Sequence, residues 1–199
     1  MTADTLDTLT ALGACDDACE WVRDKPDQTP AALWASCPRG DWMAWYLGRL
    51  AARAGQGSPE HRRATLVSVL CARTATPHAG QWREEIEALL AQIEEWAHGD
   101  AGVDLGAVWG RLWTIRSSAA YAAYASSSAA DAAAYAADVY ASSSAADAAA
   151  AAYAAADAYA YAATDVYAAD AAARRAHLAD LADMIRDAVP VVPLPGGDR

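Results

Sequence analysis

Residues 81–97 read QWREEIEALLAQIEEWA, and this stretch decides the fold class. Its large apolar side chains recur at steps of three and four residues, and glutamates fill the positions between them. Because an α-helix has 3.6 residues per turn, this period gathers the apolar side chains on one side of a helix. The stretch therefore predicts an amphipathic helix that must pack against other helices. The apolar residues are Trp82, Ile86, Leu89, Leu90, Ile93 and Trp96.

The same helical period extends over the sequence before and after this stretch, from residue 4 to residue 116. Pro and Gly clusters divide it into short segments. The Thr29-Pro30 pair predicts a helix start, with Thr29 as the N-cap and Pro30 in the first turn. Asp41 is expected to be the N-cap of the helix that carries Trp42 and Trp45. All eight Trp of the chain lie in this part, which can therefore build an ordinary core.

Residues 117–173 differ from the rest of the chain, because 32 of these 57 residues are Ala and none is basic. Ala has the highest helix propensity, so the region is predicted to be helical. A single helix of this length would extend about 85 Å at 1.5 Å per residue, too long for a compact domain of this size. We therefore expect breaks near the serine runs at 126–128 and 142–144.

Together these patterns predict an all-α fold, a multi-helix bundle with closely packed Ala-rich helices in its C-terminal half. One helical domain is expected over residues 1–188, made of a Trp-rich half (1–116) and an Ala-rich half (117–188). Residues 189–199 contain three Pro and two Gly and are predicted to form a disordered tail.

The charge of the chain limits its partners. With 26 acidic and 15 basic side chains the formal net charge is -11. Nucleic acids and anionic membranes attract basic surfaces, so the sequence predicts neither direct nucleic-acid binding nor membrane binding. A basic protein is the expected partner. The first seven residues are acidic and unlike a signal peptide, and we expect a cytoplasmic protein.

Tyr, Asp and Ser recur at steps of three and four along much of the Ala-rich region. Tyr provides a large contact area at low entropic cost, and carboxylates attract Arg and Lys, so this pattern favours a surface that binds a basic protein. The same composition also arises when Ala faces pack closely, Tyr fills the groove edges and Asp keeps the exterior soluble. The predicted partner-binding residues are Tyr124, Asp131, Tyr135, Asp138, Asp147, Tyr153, Asp157 and Tyr161.

A second candidate site lies in the Trp-rich half. Trp42 and Trp45, next to Asp41, could line a binding cleft, although helical spacing beside other apolar residues is also typical of a core. Cys15 and Cys19 lie four residues apart and could share a helix face, which leaves a metal site open, but small buried thiols are the simpler interpretation. No catalytic motif is recognisable, and we predict neither an enzyme nor a cofactor.

Three segments resemble a known family. Residues 13–21 follow G-A-C-x-x-A-x-x-W, residues 34–45 follow W-x-x-C-x-x-G-D-W-M-x-W, and residues 95–99 follow E-W-A-x-G. With the Ala-rich stretch that comes after them, they resemble immunity proteins of the Imm-5-like type, found in bacteria and phages. The likeness covers roughly residues 13–188. It implies a small, all-helical, cytoplasmic protein that neutralises a toxin by binding it. The resemblance assigns no catalytic role to any residue of this chain.

The leading hypothesis is thus a non-enzymatic protein-binding module, an immunity protein or antitoxin whose acidic helical surface blocks a basic toxin or effector. One alternative is a phage anti-defence protein that mimics nucleic acid with its surface carboxylates. Another is an oligomerisation module, since exposed Ala faces at the end of a bundle favour a homo-oligomer.

Overall fold

The structure is a computed structural model and describes residues 2–100, 102–119, 131–136, 154–155 and 167–191. These residues form helices and no strand, which confirms the all-α fold class. Two 3₁₀ turns precede α6, and residues 131–136 are also helical. The α-helices are α1 (Thr2–Leu12), α2 (Asp16–Arg23), α3 (Pro30–Ser36), α4 (Gly40–Ala54), α5 (Pro59–Ala75), α6 (Arg83–Ala97), α7 (Leu105–Ala119) and α8 (Tyr167–Ala188).

Helix α5 lies between two hydrophobic cores. Its residues Val69, Ala72 and Ala75 pack with α6 and α7 in the first core, together with the buried alanines of residues 131–136. Its residues Ala64, Val67 and Cys71 pack with α3, α4 and α8 in the second core. Because one helix contributes to both cores, the Trp-rich half and α8 are joined around it.

The start of α3 agrees with the sequence prediction. The Thr29 hydroxyl accepts a hydrogen bond from the backbone N–H of Ala32 at 3.1 Å, and Pro30 is in the first turn. This cap satisfies one of the backbone donors that a helix leaves unpaired at its N-terminus.

The predicted N-cap of α4 is wrong. The helix already begins at Gly40, and the backbone of Arg39 occupies the cap position, so Asp41 lies in the first turn. The Asp41 carboxylate instead accepts hydrogen bonds from Arg39 Nε at 2.7 Å and Arg39 Nη2 at 2.6 Å. A two-fold charge-assisted contact with a guanidinium competes successfully with a single backbone N–H.

Helix α8 packs closely against α4 because small residues lie between them. A Cβ atom at Gly40 would lie only 2.6 Å from the Leu181 Cβ and 3.0 Å from the backbone nitrogen of Ala182. Ala44, Ala51 and Ala182 belong to the same core, and each is fully or almost fully buried. Small side chains bury little area each, but they allow the helices to approach closely and increase their dispersion contacts.

The chain remains in the core for one residue beyond α8. Val189 is buried, and its carbonyl accepts a hydrogen bond from the Trp34 indole Nε1 at 3.0 Å. Residue 189, where the predicted tail was expected to begin, therefore belongs to the core, and it supplies the partner that the buried indole N–H needs. Pro190 and Val191 are exposed, and residues 192–199 lie outside the described residues.

We expect Gly40→Ala to destabilise the protein by about 1–3 kcal/mol, the usual cost of adding a methyl group to a filled core. The new Cβ would force α4 and α8 apart, because its nearest neighbours include backbone atoms. Urea unfolding followed by circular dichroism measures this change in the free energy of unfolding.

Gly110→Ala is the matched control. Gly110 lies within α7, and a Cβ there would have no neighbour within 4 Å. This substitution should stabilise the protein by up to about 1 kcal/mol, because Ala is the better helix former. Equal effects of the two substitutions would contradict the close α4–α8 contact.

Candidate functional site

A cleft with a volume of about 520 Å³ opens between α1, α2, α3 and α4. Most of its wall is aromatic or aliphatic, and its polar residues without a ring are Asp4, Thr5, Thr8 and Cys37. We call it the aromatic cleft. Its aromatic side chains are Trp21, Trp34, Trp42, Trp45 and Tyr46.

The helical period of α4 explains why three of these rings share one wall. Trp42, Trp45 and Tyr46 lie three and four residues apart, so they project from the same side of the helix. The neighbouring helices add one ring each. Trp21 lies 6.1 Å from Trp42 and Trp34 lies 6.1 Å from Tyr46, measured between ring centroids. Both pairs are tilted by nearly 60°, a favourable geometry for aromatic rings.

Helix α8 fixes one end of the cleft. Its Arg186 Nη1 donates a hydrogen bond to the carbonyl of Cys37 at 2.7 Å. The hydrogen bond from Trp34 to Val189 lies at the same end. Both contacts join residues about 150 positions apart in sequence, so this part of the wall depends on the tertiary fold.

The tryptophans of the cleft already have basic neighbours. Lys25 Nζ lies 5.3 Å from the Trp21 ring centroid, and the Arg39 guanidinium carbon lies 4.8 Å from that of Trp42. The guanidinium carbon of Arg49 lies 5.9 Å from the ring of Trp45. These distances are within the range of cation–π contacts.

Of the three cleft residues expected from the sequence, Trp42 and Trp45 line the aromatic cleft and Asp41 does not. Asp41 is only 4% exposed, and its carboxylate holds Arg39, whose guanidinium in turn lies over Trp42. Asp41 therefore acts indirectly on the cleft wall: it positions Arg39 over the ring of Trp42.

The thiol in the cleft is not suited to nucleophilic attack. Burial raises the pKa of Cys37 from 9.0 to about 11, and the negative charge of Asp41 acts in the same direction. A thiol with this pKa is protonated at neutral pH, and only the thiolate is a strong nucleophile. Burial also raises the pKa of Cys71, to about 12. Both cysteines act as small core residues.

The two cysteines that left a metal site open differ in their exposure to solvent. Cys15 is exposed and Cys19 is buried, one helical turn apart. Within the described ranges, no group of three or more His, Cys, Asp or Glu side chains is arranged to hold a metal ion.

Two of the eight predicted partner-binding residues lie in the described structure, and both contact Arg116. Arg116 Nε donates to Asp131 Oδ1 at 2.6 Å, and its Nη2 donates to the Tyr135 hydroxyl at 3.3 Å. Arg116 thus supplies from α7 a basic partner that the Ala-rich region itself lacks. The predicted residues Tyr124, Asp138, Asp147, Tyr153, Asp157 and Tyr161 lie outside the described residues.

The sequence reasoning missed an acidic surface, formed by exposed carboxylates on α1, on α2 and between α2 and α3. Residues 1–36 contain seven acidic and two basic side chains, a net charge of -5, whereas residues 37–116 contain nine of each sign. All seven carboxylates are exposed, and none forms an ion pair within the part of the chain that the structure describes. A count of charges by segment would have found this surface. We call it the acidic flank: Asp4, Asp7, Asp16, Asp17, Glu20, Asp24 and Asp27.

A hydroxyl–histidine pair elsewhere has the wrong hydrogen-bond direction for catalysis. Thr74 Oγ1 lies 2.9 Å from His177 Nε2, but the same hydroxyl donates to the carbonyl of Cys71 at 2.8 Å. Since the hydroxyl has one proton, Nε2 is the donor in this pair. A general base would have to accept the proton instead. The pair joins α5 to α8.

The comparisons with known proteins gave no match: no family model, no curated protein and no solved structure is significantly similar to this chain. The resemblance to Imm-5-like immunity proteins therefore stays a prediction. None of the described helices is both long and apolar enough to cross a membrane.

We expect Cys37 to resist alkylation in the folded protein. At pH 8 a pKa of about 11 leaves a thiolate fraction about 100-fold below that of a thiol at 9.0. Iodoacetamide labelling followed by mass spectrometry should modify exposed Cys15 first and Cys37 only after addition of urea. Equal labelling rates for these two cysteines in the folded state would contradict the assignment.

We also expect stability to fall between pH 7 and pH 5. Burial lowers the pKa of His177 and of His78 below the ordinary value of 6.5. The unfolded chain then binds protons at a higher pH than the folded chain, so stability is present above about pH 6.5 and is lost as the pH falls. Urea unfolding at both pH values measures the change. His177→Gln keeps a donor for Thr74 and should reduce the loss, and an unchanged loss would contradict this explanation.

Proposed function

We propose that this chain is a non-enzymatic protein-binding module that neutralises a toxin or effector by direct contact. The aromatic cleft is the observation that carries the proposal. Its volume of about 520 Å³ is within the range of about 300–1,000 Å³ typical of ligand pockets. Trp and Tyr are the residues most enriched among those that dominate binding energies at protein interfaces.

The chemistry of the wall supports binding over catalysis. Its thiol is protonated at neutral pH, and Asp4 is the one carboxylate among the described residues that line it. The nearby carboxylate of Asp41 holds a guanidinium and lies outside the wall. A cleft of rigid rings with few polar groups is well suited to enclose an apolar side chain of another protein.

The charge distribution supports a basic partner. Of the net charge of -11, residues 1–36 carry -5 and the Ala-rich residues 117–173 carry -6. The acidic surface that we propose for binding is therefore the acidic flank next to the cleft. Asp131 and Tyr135 already contact Arg116, which makes them weaker candidates than they were from the sequence.

Self-association is a second candidate with one observation in its favour. Trp109 and Trp113 stack on the surface of α7 at a centroid distance of 5.7 Å, and they are 38% and 41% exposed. Exposed large apolar side chains at neighbouring positions favour an interface. The net negative charge of the chain opposes contact between two copies.

Co-expression tests the proposed function. The toxin candidates are proteins encoded beside the gene of this chain, and growth of the host should be restored when the chain is produced with its toxin. Titration of the purified toxin should end at a fixed molar ratio, because a binding protein has no turnover. Loss of toxicity at far below one chain per toxin would indicate an enzyme, and no protection from any candidate would refute the proposal.

Two controls separate the alternatives. Trp45→Ala should weaken protection, because Trp45 lines the cleft and does not belong to the core cluster behind it. Sedimentation velocity of the chain alone should give a monomer, whereas a stable dimer would favour the oligomerisation module.

A further inference from the structure

We infer that the aromatic cleft binds a cationic segment of its partner protein, one that presents one or two large apolar side chains between Lys or Arg residues. This inference rests on the proposed function and specifies the partner's chemistry. It follows from the position of the acidic flank beside an apolar cleft.

The interior of the cleft selects an apolar group. Trp, Leu, Val and Met side chains form most of its wall, so a buried polar group would lose its hydrogen bonds with water and find few replacements. Three of its tryptophans already have a basic side chain within 5.9 Å of the ring centroid. These rings therefore already have cation–π partners without a cationic group from the ligand. The apolar anchor therefore belongs inside, and the charges of the ligand belong outside.

The rim of the cleft selects positive charge. Asp4 lies in the wall itself, and Asp17 lies one helical turn before the cleft residue Trp21, on the same side of α2. Both carboxylates are exposed and form no ion pair within the described residues. Because charges interact over about 10 Å at 0.1 M salt, the acidic flank as a whole attracts Lys and Arg that flank the anchor.

The same charges disfavour two other occupants. A second copy of the chain would bring its own net charge of -11 against the acidic flank. A nucleic acid would bring phosphates, which need a basic surface. A basic protein segment is the occupant that satisfies both the interior and the rim.

Fluorescence anisotropy with three labelled peptides tests this inference without the toxin. The first is a 12-residue peptide with two Trp in its centre and three Lys on each side. In the second peptide Gln replaces every Lys, and in the third Ser replaces both Trp. The full chain should bind the first peptide at least about 10-fold more tightly than either of the others, because anchor and charge are both required. Its affinity should also fall as salt is raised.

Matched variants of the chain locate the binding. Trp45→Ala should lower the affinity for the first peptide about 10-fold, with unchanged circular dichroism and thermal unfolding as the check on folding. Asp4→Asn with Asp17→Asn should lower it about threefold to tenfold and weaken its salt dependence. Glu84→Gln with Glu95→Gln removes the same amount of charge from two exposed positions on α6, outside the cleft. This control should leave the affinity within about twofold.

Three results would overturn the inference: tight binding of the Gln peptide, no effect of Trp45→Ala, or equal effects of the two charge-changing pairs. A chain that ends at Val191 tests the chain's own residues 192–199 as the occupant. A gain in peptide affinity of more than about 10-fold on this truncation would also overturn the inference.

The outcomes distinguish this inference from the proposed function. Selective peptide binding without protection against any toxin would refute the proposed function, while the inferred specificity of the cleft would stand. Protection that survives both Trp45→Ala and the double substitution at Asp4 and Asp17 would refute the inference and leave the proposed function standing.

Discussion

The arrangement of the cleft depends on the close contact between α4 and α8. Gly40 lies so close to Leu181 and the backbone of Ala182 that an added Cβ atom would be 2.6 Å from the Leu181 Cβ, and the helices would have to shift to admit it. Helix α8 and the residue after it are also joined to α3 and its C-cap, by hydrogen bonds from Arg186 to Cys37 and from Trp34 to Val189. With one side of α4 fixed in this way, its rings project into the aromatic cleft. The small size of Gly40, the first residue of α4, thus contributes to the position of the α4 rings in the cleft.

Rigidity and charge are provided by different parts of the molecule. The rings of the cleft are held by each other, by basic side chains over three of them and by α8, so little order remains to be imposed when a ligand binds. The carboxylates of the acidic flank are exposed and without ion pairs within the described residues, so their field extends into solvent. A rigid apolar cleft next to a long-range negative field is suited to fast and selective capture of a basic protein.

The helices could be predicted from the sequence because their signals are local. The apolar period of residues 81–97 agrees with α6, and Thr29 caps α3 as its position before Pro30 indicated. Asp41 was wrongly assigned because two contacts were unknown, the guanidinium of Arg39 and the close approach of α8 to Gly40. Arg116 was likewise missed as the partner of Asp131 and Tyr135, since it lies on another helix.

The sequence by itself determined the all-α class, most helix positions and the uneven distribution of charge, because these follow from residue spacing and counts within single segments. Only the tertiary structure decided which aromatic side chains face a cleft and which lie in the core. Trp34, Trp42 and Trp45 all line the cleft, yet Trp34 is also buried in the core and bonded to Val189, whereas Trp45 lies outside the core cluster. The physical reason is that burial depends on neighbours far away in sequence: α8 lies against α3 and α4 although about 150 residues separate their contacts.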